Sequence, residues 1–374
     1  MLSLILLLAA RGISQPSLPE TRLAIPEAEF PIGYSDLRSL RELPGNKAIV
    51  LDRCDPLLRL INFSTGKDIA IGRNGSGPIE YRSVDLLLPI PGDSSIVRDY
   101  RSRRFLVIDP GGNPVRVVAS PLDVMVRSSR GYIGSSFAPT GHDSLGRLYA
   151  RGSAVSVGAQ GFVRADSAAI ERWDHRSSRR DTVAFVEILR GGEPIVPLAP
   201  LKPYAPAVSW AVSPEGRIAL VHPEGYRVEF IEPSGKTFRG EPNRFDRVRL
   251  SEAHKDQWRK TVEGACPRLI PSVPEGSGPI MRAPISNEWP NEIPPFLADA
   301  AVFDPNGVLW VRRQLEAEAP PTYDLIDRRG KVFHRVILPS GGKLLGFGHG
   351  VVYTVRHDND DLQYIQRHRL RIVP

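Results

Sequence analysis

Apolar and polar side chains alternate along this chain in short runs, and the clearest set lies at 298–338, ADAAVFDPNGVLWVRRQLEAEAPPTYDLIDRRGKVFHRVIL. Alternation of this kind marks half-buried strands. It predicts strands at Ala301 to Phe303, Val308 to Val311, Tyr323 to Ile326 and Val332 to Leu338. Between them, Asp304-Pro305-Asn306-Gly307 and Asp327 to Gly330 are tight turns. Their Asn-Gly and Arg-Gly corners supply the positive φ that hairpins need. A four-stranded antiparallel unit of this length, repeated, is the blade of a β-propeller.

Six such units follow one another, over about 36–71, 84–119, 140–189, 208–240, 298–338 and 344–372. In four of them the two turn glycines, Gly45 and Gly66, Gly92 and Gly112, Gly216 and Gly235, Gly307 and Gly330, lie 21, 20, 19 and 23 residues apart. The third unit is blurred by an insertion, SAVSVGAQGFVRAD. The sixth runs out at Pro374 with only three strands. An open edge there would leave backbone groups unpaired, so residues 22–27, RLAIPE, are expected to supply the missing strand. The expected fold is therefore an all-β, six-bladed β-propeller over 22–372, its last blade closed by an N-terminal strand. Two stretches break the rhythm: the proline-rich 190–207 and the longer 241–297. The second is read as a rim excursion with one helix, Ser251 to Val262, capped by Ser251 and stopped before Gly264. Trp258, Trp289 and Phe296 would pack it back on the propeller, while Trp210 and Trp310 are expected between blades.

Strand direction chooses a face. Turns after first and third strands lie at one end of the ring, and loops after second and fourth strands lie at the other. The insertions 72–83, 120–141, 152–168, 190–207, 241–297 and 312–321 are nearly all of the second kind. Long loops held by a rigid scaffold carry function, so that end is the expected working face.

Composition adds little to this picture. The 374 residues carry a net charge of +7, nearly all the basic side chains being arginine. No dense basic patch or nucleic-acid module is present, so no nucleic-acid partner is expected. The apolar run at 2–10, LSLILLLAA, is too short to span a bilayer and fits the core of a secretory signal peptide. Residues 1–14 are read as that peptide, with cleavage before Gln15; a buried N-terminal strand is the competing reading. The mature chain would then be exported, periplasmic or extracellular, with no transmembrane span. Cys54 and Cys266 lack any zinc-ligand spacing. They either pair, as an oxidising compartment allows, or stay buried apart.

Polar residues recur where second strands end: Asp52 and Arg53, Asp99, Arg151, His222, Arg312, then Arg356 and His357. Gathered round a propeller mouth, such arginines would grip an anionic or peptide-like ligand through paired hydrogen bonds. The bland alternative is solvated hairpin ends and inter-blade ion pairs. The loop IGRNGSGPIEY has glycines at 72, 75 and 77 but no phosphate-loop spacing. Arg73 there is a further ligand candidate, or a partner for Glu80 across the loop. His222 and His357 are the acid–base candidates; His142 and Asp143 adjoin a short turn and are placed at the opposite face. No G-x-S-x-G, H-E-x-x-H or EF-hand pattern occurs, and DNDD at 358–361 is read as a hairpin loop. No metal or other cofactor is expected from these patterns.

IGRNGSGPIEYRSV (71–84), FDPNGVLWVRR (303–313), DLIDRRGKVFHRVILP (324–339) and VVYTVRHDNDDLQYIQRHRL (351–370) together resemble the bacterial six-bladed propellers of NHL/TolB-like type. The resemblance implies an exported propeller across 22–372. The similar gluconolactonase-like propellers hold a metal in the central channel with carboxylates and asparagines, a set that cannot be placed here residue by residue. The expected function is a monomeric, non-catalytic propeller binding a peptide, protein or small polar ligand on its loop-rich face. The alternatives are a hydrolase or lyase using His222, His357 and rim carboxylates with a divalent metal, and a cell-envelope scaffold.

Overall fold

The computed structural model describes residues 18–372, apart from 55–57, 78, 101, 122–123, 129–130, 136, 159–160, 190–201 and 264–285. The apolar run at 2–10 and Cys266 thus lie outside the described residues.

Six four-stranded antiparallel arrays follow the chain, built from 37–71, 84–119, 139–187, 209–239, 301–337 and 343–369 with 28–29. They are blades 1 to 6. Their first strands are Leu37–Leu43, Val84–Pro89, Pro139–His142, Ser209–Val212, Ala301–Phe303 and Lys343–Gly348. These strands pack on one another in turn, from blade 6 through blades 1 to 4 and on to blade 5, around a central channel. The protein is a six-bladed β-propeller.

The turns explain why the blades repeat. The backbone carbonyls of Asp109, Asp143, Ser213, Glu232, Asp304 and Asp327 each accept a hydrogen bond from a glycine N–H three residues on. Those glycines, Gly112, Gly146, Gly216, Gly235, Gly307 and Gly330, have φ between 75° and 87°, a region that side chains with a Cβ seldom enter. The Asp304 and Asp327 carboxylates also accept the N–H groups two and four residues on.

Packing between blades holds the ring. Six apolar clusters form, one at each blade–blade junction. Trp310 is buried at the junction of blades 5 and 6, edge-on to Phe347. The junction that closes the ring joins blade 6 (Val351, Tyr353, Ile365) to blade 1 (Leu37, Val50, Ile61), with Phe30 and Tyr34 between them.

The closing strand is Ala28–Glu29, antiparallel to Gln363–Arg369, and not residues 22–27 as the sequence suggested. Backbone hydrogen bonds from Glu27, Phe30 and Tyr34 extend this pairing. Glu20–Arg22 instead runs parallel to Val332–Ile337 as a fifth strand of blade 5. Pro26 explains the division. It has no N–H to give a ladder, so the segments before and after it dock separately. Leu23 anchors the first at the junction of blades 5 and 6, and Phe30 anchors the second, while Ile25 between them is 87% exposed.

Blade 3 carries its insertion as a hairpin, Val155–Gly158 with Gly161–Arg164. A second hairpin, Val124–Ser128 with Gly131–Ser135, lies between blades 2 and 3. The 241–297 excursion holds a short ladder, Val248–Arg249 with Glu292–Ile293, and a helix α1, Glu252–Glu263. Ser251 Oγ accepts the His254 N–H at the head of α1, and His254 Nδ1 accepts the Ser251 N–H in return. This is a capping box with histidine in place of glutamate. Trp258 meets Trp289 edge-on at 5.7 Å, and Phe296 is fully buried against blades 4 and 5. Among the described residues no helix is long and apolar enough to cross a membrane.

Candidate functional site

Antiparallel pairing places the start of each first strand level with the end of the second, so both reach the loop-rich mouth of the channel. In blades 1 and 2 the second-strand carboxylate is structural. Asp52 accepts the N–H groups of Ser35, Asp36 and Cys54. Asp99 accepts those of Arg82 and Ser83 and pairs with Arg104. Both are buried, with oxygens committed to the backbone that leads into their own first strand.

Arg53 reaches the mouth through Asp36, which it meets at 2.7 Å while Arg38 meets the same carboxylate at 2.9 Å. Across from them Lys343 opens blade 6, its ammonium donating to the Leu37 carbonyl at 2.8 Å. Arg312 ends the second strand of blade 5, exposed to solvent. Arg38, Arg312 and Lys343 line one cavity of about 600 Å³, with Asp299 and Tyr323 beside them and Gln257 and Trp258 of α1 against it. Burial pulls the Lys343 pKa down to about 8, helped by the fields of Arg38, Arg53 and Arg312; Asp36 opposes them. Burial also lowers the pKa of Arg38. Asp36 already serves two guanidinium groups, so the mouth has positive charge in excess on this side.

Beside it, a cavity of about 570 Å³ fills the channel along the first strands of blades 3, 4 and 5. Its walls are mainly apolar, with Trp210 and Val302 midway, Arg151 and Glu187 at the mouth, and His142 at the far end. Trp210 packs partly against the junction of blades 3 and 4 and shows its remaining face to the channel. Burial holds the His142 pKa below the usual imidazole value.

The other sequence candidates sit elsewhere. Arg73 is exposed and pairs with Glu80 at 2.6 Å, the cross-loop contact expected of it. Arg356 grips Glu29 with two hydrogen bonds, at 2.9 and 2.7 Å, and lies over the Tyr364 ring, tying the closing strand to blade 6. His222 faces a separate cavity between blade 4 and the excursion, with Nε2 3.7 Å from Glu229; burial lowers its pKa. His357 is exposed at the end of blade 6's second strand, beside Gln363. The structure therefore does not bring the two histidines into one cavity. Asp358 caps its own hairpin through the Asp360 and Leu362 N–H groups. Among the described residues no three His, Cys, Asp or Glu side chains gather as metal ligands would.

Strand order defines the class, a six-bladed β-propeller. No family model matches the chain, and no curated protein matches it. Solved structures similar to it include a member of the DUF4221 family from Bacteroides vulgatus, 9% identical with a TM-score of 0.49, covering 93% of this chain and 98% of that one. Regucalcin, a calcium-binding protein from Agrobacterium tumefaciens, is 11% identical with a TM-score of 0.42, covering 95% and 98%. Virginiamycin B lyase from Staphylococcus aureus is 10% identical with a TM-score of 0.39, covering 91% and 88%. At these scores they add nothing to what the strand order shows.

Proposed function

We propose that this is an exported binding propeller of the NHL/TolB-like kind, taking a small carboxylate-bearing ligand at its loop-rich mouth. The observation that carries the reading is the cluster round Lys343: three cationic side chains, Arg38, Arg312 and Lys343, line one cavity whose lining holds a single carboxylate, Asp299. Arg312 and Lys343 have no carboxylate partner among the described residues, so an anion gains charge-assisted hydrogen bonds there without displacing one. Export is supported by the apolar run at 2–10 and by Cys54, which is disulfide-bonded, as suits an oxidising compartment.

The test is calorimetric titration with acetate, succinate and inorganic phosphate, using ethylamine as a cationic control. Acids are expected to bind and the amine not. Arg312→Ala combined with Lys343→Met should weaken acid binding by about tenfold or more, the size of lost hydrogen bonds to charged groups. Binding that is absent, or indifferent to that variant, would overturn the reading.

A further inference from the structure

The cationic mouth and the apolar channel are neighbours. The segment 298–302 runs between them, and Asp299 and Val302 line both cavities. From the mouth, the channel cavity descends past Trp210 and Val302 to Phe303 and Val212 at the turn-side end. A ligand consisting only of a polar head would leave this wall wet. Apolar surface removed from water is stabilising in proportion to its area, and concave apolar pockets with a few convergent polar groups are the usual form of small-ligand sites.

We infer that the ligand is a small amphipathic acid, its carboxylate held by Arg38, Arg312 and Lys343 and its unbranched apolar tail lying along Trp210 and Val302 in the channel. This rests on the mouth reading and specifies its substrate class. Glu187 and Asp299 stand with Arg151 at the channel's entrance, two carboxylates against one guanidinium, and the walls below are mainly apolar, so the tail is uncharged and the acid has a single head. His142 closes the far end, where a tail that has crossed the blade meets a polar group.

The experiment is a titration series of straight-chain monocarboxylates from acetate to tetradecanoate, each below its micelle-forming concentration. Affinity is expected to rise about threefold to fourfold per methylene. It should level off once the tail has crossed the four-residue strand Ser209–Val212, about 13 Å at the usual rise. Trp210→Ser and, separately, Val302→Thr should flatten the series, and a cooperative thermal melt of each shows that it is folded. Acetate binding with no dependence on chain length would overturn this inference and leave the mouth reading standing. Failure of every acid would sink both. An equal slope for alkylamines would overturn the head assignment. A short peptide with an apolar C-terminal residue binding more tightly than an acid of equal apolar area would overturn the acyl tail.

Discussion

Arg313 Nη1 donates to Asp324 Oδ2 at 2.8 Å, with side-chain exposures of 3% and 1%. The Tyr226 hydroxyl donates to the same oxygen at 3.0 Å, and Arg335 Nε to the other oxygen at 2.9 Å. The Arg313 guanidinium lies 5.0 Å over the Tyr226 ring. Blade 4 and blade 5 are thus joined by a buried polar network inside an otherwise apolar junction. Asp324→Ala would leave a buried guanidinium without its counter-ion and is expected to cost about 3–5 kcal/mol. Urea unfolding of wild type and variant measures it. A loss below about 1 kcal/mol, the range of an exposed pair, would show that water reaches Arg313 freely.

The closing strand makes a second, separable prediction. Phe30 is fully buried between blades 6 and 1, edge-on to Phe63 at 5.6 Å. Phe30→Ala should cost about 3–5 kcal/mol. Ile25→Ala, at an 87% exposed position, should stay within about 0.5 kcal/mol of wild type. Thermal melts of the two variants compare them directly. If Ile25→Ala were the more damaging, the segment before Pro26 would be holding the ring.

These cases show what was legible in the sequence and what was not. The blades were, because most tight turns place a glycine at positive φ and such glycines recur. The need for an N-terminal strand was also legible, from a last blade one strand short. Its position was not, since RLAIPE and the residues after it are both short and mixed in polarity, and what separates them is the junction each docks on, Leu23 between blades 5 and 6 and Phe30 between blades 6 and 1. The mouth was half legible. Scanning second-strand ends found Arg312 and Arg53 but also Asp52 and Asp99, whose backbone partners lie some 16 residues back along the chain. It missed Arg38 and Lys343, which belong to first strands. Antiparallel register, Leu37 opposite Asp52 and Lys343 opposite Val355, puts the start of one strand beside the end of the next, and that was the unused signal.

The two kinds of second-strand residue should behave differently. Asp99→Ala frees the Arg82 and Ser83 N–H groups and is expected to cost about 1–3 kcal/mol of stability without changing acetate affinity at the mouth. Arg312→Ala, at an exposed position, should leave stability within about 0.5 kcal/mol and weaken acid binding. Unfolding and titration of both variants separate them. Lost acetate binding in a folded Asp99→Ala protein would return Asp99 to the ligand site.

Lys343 gives the mouth a pH dependence whose sign is fixed. Its folded pKa is about 8 against an ordinary 10.5, chiefly through burial and then through Arg38. Between those two values the unfolded chain holds more protons on this group than the folded one, so its contribution to stability rises with pH across that window. Acid binding moves the other way. The ammonium that attracts the carboxylate is lost as pH climbs through about 8, so affinity should fall by about tenfold between pH 7 and pH 10, the size of one charged hydrogen bond. A bound anion also favours the ammonium, so binding near pH 8 should take up protons, read as a dependence of the calorimetric heat on the buffer's ionisation enthalpy. Guanidinium groups keep their charge over this range. The fall must therefore vanish in Lys343→Met, whose affinity should be lower at pH 7 and flat to pH 10; a fall that survives that substitution would place the titrating group elsewhere.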